Sequence, residues 1–110
     1  MDNDKKDKKD KRDKEKQYGA FYTPPECVDI ILDALPSEVW CDPDRLWLEP
    51  SCGTGNFVWQ IYCRLMQGLA MAIPTDCDRH MHILGKMLYM VDIDPDSVAF
   101  CVRRFSSLFP

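Results

Sequence analysis

The stretch Leu46-Trp47-Leu48-Glu49-Pro50-Ser51-Cys52-Gly53-Thr54-Gly55-Asn56-Phe57 constrains this chain more than any other. An apolar run closes on a carboxylate, a small-residue loop with two glycines follows, and a helical pattern begins directly behind it. That order is how a strand-loop-helix turn that cradles a nucleotide-like ligand reads. Gly53 and Gly55 can take positive backbone angles, and without a Cβ they let a ligand approach the main chain. The helix behind them points free backbone N–H groups at the pocket. Glu49 stands at the carboxyl end of the strand, where α/β sheets place ligand-facing groups. Its charge suits a cationic or hydroxyl-rich ligand and repels phosphate. The loop has no Gly-Lys-Ser/Thr and so is not a Walker A loop. Val58 stands where a GxGxxG fingerprint starting at Gly53 needs its third glycine. Spacing alone leaves a plain tight turn open as the alternative.

Length and charge narrow the classes further. The chain has 110 residues, room for one domain or part of one. Residues 1–17 carry eight Lys/Arg and six Asp/Glu with no apolar residue after Met1, so they cannot bury a core and are expected to form a disordered tail. The folded part is expected over residues 18–110. Of the net charge of −4, the tail contributes +2 and the remainder −6, so the folded part is no basic nucleic-acid platform by itself. The six cysteines form no CxxC pair. With no signal peptide and no long apolar span, they are expected to be reduced thiols packed as small hydrophobes in a cytoplasmic protein. Cys77, His80 and His82 make one metal-like cluster. It falls short of the four ligands in two spaced pairs that a structural zinc site uses, and no metal site is expected.

Taken in order, the chain reads as alternating helices and strands. Thr23 followed by Glu26 forms a capping box with Pro24 at the first helical position. Val28, Ile31, Leu32 and Leu35 then fall on one face, Asp29 and Asp33 point outward, and Pro36 stops the helix. Residues 37–44 read as a loop and Arg45 to Leu48 as a short buried strand. Asn56 is expected to cap the next helix, with Phe57, Val58, Ile61, Leu65 and Met66 in its buried stripe and Gly68 ending or weakening it. From Leu69 to Gly85 the pattern decays into a connection with some helical continuation. Met87-Leu88-Tyr89-Met90-Val91 is a continuous apolar run of the kind parallel strands show when buried on both faces.

That second strand ends in Asp92-Ile93-Asp94-Pro95. A carboxylate at a strand end, one element after a glycine loop, is placed to accept the two hydroxyls of a ribose. Asp92 is the residue for that role, because Asp94, ahead of Pro95 and Asp96, reads as the cap of the next helix. Val98, Cys101, Val102 and Phe105 make that helix amphipathic, with Arg103 and Arg104 near its carboxyl end. A further strand is expected to begin at Leu108 and Phe109.

Three stretches, Phe21-Tyr22-Thr23-Pro24-Pro25, Glu49 to Phe57 and Val91-Asp92-Ile93-Asp94-Pro95, together resemble the opening of the S-adenosylmethionine-dependent adenine-specific DNA methyltransferases, the modification enzymes of restriction systems and their relatives. The resemblance covers residues 18 to 105. It implies a partial Rossmann-like α/β fold of the class I methyltransferase kind, with its first two parallel strands and flanking helices. It implies that Phe21, Tyr22, Thr23 and Pro24 lie over the methionine portion of S-adenosylmethionine. Glu49, Pro50, Cys52, Gly53 and Gly55 would wrap its methionine end, Asp92 would hold the ribose and Ile93 would pack on the adenine. The residues agree: a cofactor with an α-amino group and a sulfonium is cationic where it meets Glu49, and its cis-diol suits Asp92.

The family's catalytic signature, Asn or Asp followed by Pro-Pro-Tyr or Pro-Pro-Phe, does not occur here, and no catalytic residue is assigned. The middle acidic motif and a target-recognition domain are missing too. A base-flipping enzyme needs a pocket for the extruded base and a charged groove for DNA. The expectation is therefore a cofactor-binding amino-terminal part, truncated before the catalytic motif and inactive alone, with DNA as substrate of the complete enzyme. A split subunit completed by a second chain is the alternative, as is a piece of a methyltransferase acting on protein or RNA. A nicotinamide-dependent enzyme is disfavoured by Glu49 and the missing third glycine.

Overall fold

The structure is a computed structural model and describes residues 23–50, 52, 53 and 55–109. The charged tail and the expected cofactor residues Phe21 and Tyr22 lie outside the described residues, as do Ser51, Thr54 and Pro110. The element order is helix α1 (Pro25–Asp33), a 3-10 turn (Ser37–Cys41), strand β1 (Trp47–Glu49), helix α2 (Asn56–Gly68), helix α3 (Asp76–His82), a π-helical turn (Ile83–Met87), strand β2 (Leu88–Met90) and helix α4 (Pro95–Ser106). The strands pair in parallel, with Trp47 opposite Leu88, Leu48 opposite Tyr89 and Glu49 opposite Met90. This is a mixed helix and strand architecture compatible with a partial α/β fold. Parallel neighbours need a crossover, and the α2–α3 segment supplies it.

Helix α2 is the hub, touching α1, the 3-10 turn, α3, the π-helical turn and β2. Its inward residues Val58, Ile61, Tyr62 and Leu65 recur at helical spacing, and they join Val28, Leu32, Leu69, Ile83, Met87, Leu88, Cys101 and Phe105 in one core. Burying a side chain such as Leu65 contributes roughly 1.5–3 kcal/mol. Gly68, the last residue of α2, serves close approach: a Cβ there would sit 2.1 Å from the backbone oxygen of Trp40. Trp40 in turn stacks on Trp47 of β1 at 4.8 Å between ring centroids. On the outside, Arg64 ties α2 to α1 through Asp33 at 2.8 Å and Asp29 at 3.4 Å. Among the described residues no helix is long and apolar enough to cross a membrane.

Several sequence expectations shift. Helix α1 starts one residue later, with Pro24 as its N-cap and Pro25 in the first turn, and no side chain caps it. The residue before a proline is pushed toward extended backbone, so Pro24 (ψ 150°) stays out of the helix. Ile31 and Leu35 are exposed, leaving Val28 and Leu32 to pack. Gly55 rather than Asn56 is the N-cap residue of α2. Residues 76–87 are helical, a longer run than the connection with some helical continuation expected over Leu69 to Gly85. The buried stripe of α4 is Ser97, Cys101 and Phe105, while Val98 and Val102 face out. No strand forms at Leu108 and Phe109. Neither strand is buried on both faces: Leu48 and Tyr89 are exposed. The cysteines divide as well, since Cys27, Cys41 and Cys77 are exposed while Cys52 and Cys101 are buried.

Candidate functional site

Among the described residues, Thr23, the glycine turn and the Asp92 loop are joined by hydrogen bonds at the carboxyl end of the sheet. The parallel ladder runs past the strands, with the Val91 amide donating to the Glu49 carbonyl (3.0 Å) and the Cys52 amide to the Val91 carbonyl (2.9 Å). The chain then turns through Gly53 (φ 53°) and Gly55 (φ 94°), both in the left-handed region that favours glycine. The Gly55 amide donates back to the Cys52 carbonyl at 2.9 Å, and the Trp59 amide donates to the Gly55 carbonyl at 2.7 Å, which starts α2. Asn56 closes the third side, its side-chain amide donating to the Thr23 carbonyl at 3.0 Å. The segment ahead of α1 is thus tied to the first turn of α2. Asn56 was legible only as a cap, since a contact 33 residues back leaves no local signal.

Asp92 faces the turn. One carboxylate oxygen accepts the Gly53 amide at 2.8 Å and the other accepts the Asp94 amide at 2.8 Å. Asp94 is the cap expected of it: its side chain accepts the Asp96 amide at 3.1 Å and the Ser97 hydroxyl at 3.0 Å. Of the other expected ligand residues, Thr23, Cys52, Gly53, Gly55 and Asp92 lie together. Glu49 closes β1 half-buried, Pro24 and Pro50 are exposed beside them, and Ile93 stands exposed after Asp92.

Cys52 turns its thiol inward, 4.0 Å from the Cys101 thiol of α4, and the Cys101 thiol reaches the Gly53 carbonyl at 3.4 Å. Burial pushes the Cys52 thiol up to about 12 from 9.0, helped by the adjacent Cys101 and the negative charges of Asp92 and Glu49. Burial raises the Cys101 thiol too. Both are protonated packing groups near neutral pH, so Cys52 packs the turn onto α4 and supplies no nucleophile. A Cβ on Gly55 would come within 3.1 Å of the Cys101 sulfur, a tight contact that adds to the positive φ favouring glycine there. The plain-turn reading thus accounts for both glycines. Asp92 has a place in that reading too, as acceptor of the Gly53 and Asp94 amides.

The histidines are engaged elsewhere. His80 Nδ1 lies 2.7 Å from the buried Tyr62 hydroxyl, and His82 Nε2 donates to the Pro43 carbonyl at 2.7 Å. No group of side chains suited to a metal ion occurs among the described residues.

Fold and site define an α/β turn at the end of two parallel strands, with an acidic residue facing a glycine pair. No family model matches the chain. Over 75 residues, 66% of its length, the chain is 39% identical to an uncharacterized adenine-specific methylase of Mycoplasma pneumoniae. The match spans 18% of that protein's length. A methyltransferase is therefore among the relatives of this chain.

Proposed function

We propose that this chain is the S-adenosylmethionine-binding part of an adenine-specific DNA methyltransferase of the restriction-modification kind. The observation that supports it best is the convergence of the glycine turn, Asp92 and the segment at Thr23 on one end of a parallel sheet. The donor set fits the cofactor. Glu49 and Asp92 bring negative charge to a site that would take a cationic amino acid and a diol, and no basic side chain of the turn calls for phosphate. Each oxygen of Asp92 carries one backbone hydrogen bond, and a carboxylate oxygen has room for a second donor, here a ribose hydroxyl. Thr23 and Pro24, with Phe21 and Tyr22 ahead of them, would lie over the methionine portion. Pro50, Cys52, Gly53 and Gly55 would line its other side, and the exposed Ile93 would cover the adenine. S-adenosylmethionine supplies an electrophilic methyl group on sulfonium, and in this reading the chain's residues orient it.

The complete enzyme would transfer that methyl to the exocyclic amino group of adenine in DNA. This sequence contains no Asn/Asp-Pro-Pro-Tyr/Phe signature to hold the base, so the 110-residue chain is expected to be inactive alone. The bare sheet face at Leu48 and Tyr89 favours a second reading, in which the chain is one half of a split methyltransferase and a second polypeptide brings the catalytic half.

Calorimetric titration of the chain tests the cofactor. S-adenosylmethionine should bind, Asp92→Ala should weaken it by ~tenfold or more, the scale of one or two lost charge-assisted hydrogen bonds, and a nicotinamide dinucleotide should not bind. Binding of the dinucleotide in preference to S-adenosylmethionine would sink the reading. Methylation of an unmethylated duplex by the purified chain would refute its inactivity.

A further inference from the structure

We propose that Asp92 is a positioning residue for the glycine turn, fixing it before any ligand arrives and joining the loops after β1 and β2 into one unit. The inference rests on the reading of this end of the sheet as the ligand site. Its ground is the way the ladder ends. As far as Cys52, the main chain of one strand pairs with the main chain of the other, the Cys52 amide donating to Val91 at 2.9 Å. At Gly53 the backbone turns, with φ 53°. The Asp92 side chain takes over as acceptor at 2.8 Å, across 39 residues of sequence. The second oxygen holds the Asp94 amide at 2.8 Å, so the same carboxylate shapes its own loop. Both lengths are those of charge-assisted bonds.

Only an aspartate satisfies both amides at once. Asparagine has one acceptor oxygen, so its NH2 group would face one of the two N–H groups and lose that bond. Glutamate is longer by a methylene. The Gly53 amide is therefore already spent, and a ligand meeting the turn contacts other groups: Asp92 acts on the amino-acid end of the ligand through the shape of the turn, and on the ribose directly.

The two roles separate by experiment on the full 110-residue chain. Amide hydrogen exchange by NMR, without ligand, should show the Gly53 amide protected at least ~tenfold over its unprotected rate in the wild type, and that protection lost in Asp92→Ala, which removes both acceptor oxygens. Exchange of Gly53 at the unprotected rate in the wild type overturns the proposal, and this arm needs no variant to fold. Titration with S-methyl-L-methionine, which carries the sulfonium and amino acid but no nucleoside, should then be ~tenfold weaker in Asp92→Ala. A variant that loses adenosine binding but keeps the S-methyl-L-methionine response has lost a ribose holder only, and the positioning role falls. A protected Gly53 in a chain that fails to bind S-adenosylmethionine upholds the positioning role and removes the cofactor reading instead.

Discussion

The two faces of the sheet have been treated differently by the chain. On one, Leu88 is 3% exposed and Trp47 and Met90 pack against the core built on α2 and α4. On the other, Leu48 and Tyr89 stand opposite each other in register, 69% and 50% exposed, with Leu46 and Val91 open just beyond the strand ends. Parallel sheets are ordinarily covered on both faces. The described residues thus supply one helical layer and leave apolar side chains where a second layer belongs. The contrast also locates the candidate site, which lies at the end of the strands, on the loops that the covered side holds in place.

The sharpest way to break that comparison is a pair of truncations. Leu65→Ala, in the middle of α2 and fully buried, should cost ~2–5 kcal/mol by lost transfer energy and a residual cavity. Leu48→Ala on the bare face should stay within ~0.5 kcal/mol of the parent. Urea unfolding of the two variants decides it. A Leu48 variant as damaged as the Leu65 one would mean that the exposed face is covered in solution, by a second copy or another chain.

A smaller effect is expected at the contact that seats the covered side. Gly68→Ala gains up to ~1 kcal/mol of helix propensity but drives a methyl into the Trp40 carbonyl, and overpacking of this kind costs ~1–3 kcal/mol. The net should be a lowered melting temperature. A raised one would show that the 3-10 turn at Ser37–Cys41 shifts aside freely.

How far these features could be read from the residues depends on the range of the force behind each. Gly53 and Gly55 announced a turn, Asp94-Pro95 a cap, and Val58, Ile61 and Leu65 a stripe, because backbone angles, capping and helical spacing act within a few residues. The convergence of Thr23, the glycine turn and Asp92 came from resemblance, and its binding role stands as a proposal. Helix α3 was legible only as some helical continuation because it buries Arg79 and His80, polar residues that break an apolar period, although Asp76 and Asp78 at its start and Arg79 in its last turn carry the right charges. Gly68 looked like a helix end because the crowding it relieves is with Trp40, far back in the sequence. The run from Met87 to Val91 promised burial on both sides, but an unbroken apolar run says nothing about whether the described chain provides both covers.

The covered side also holds a buried imidazole, His80. His80 is buried beside Tyr62, with Phe109 against its ring at 4.6 Å, and that burial lowers its pKa from 6.5. A folded-state value below the unfolded one means that the unfolded chain takes up the proton first. Stability is therefore full above the unfolded value and is lost as pH falls through it toward the folded one. Chain unfolding in urea, followed from about pH 7 down to about pH 5 and so above the usual carboxylate range, should show a falling midpoint. The fall should flatten in His80→Gln, which keeps a polar side chain but cannot take the proton. An unchanged slope in that variant would place the titrating group elsewhere, and the buried imidazole would then owe its neutrality to nothing that folding has to maintain.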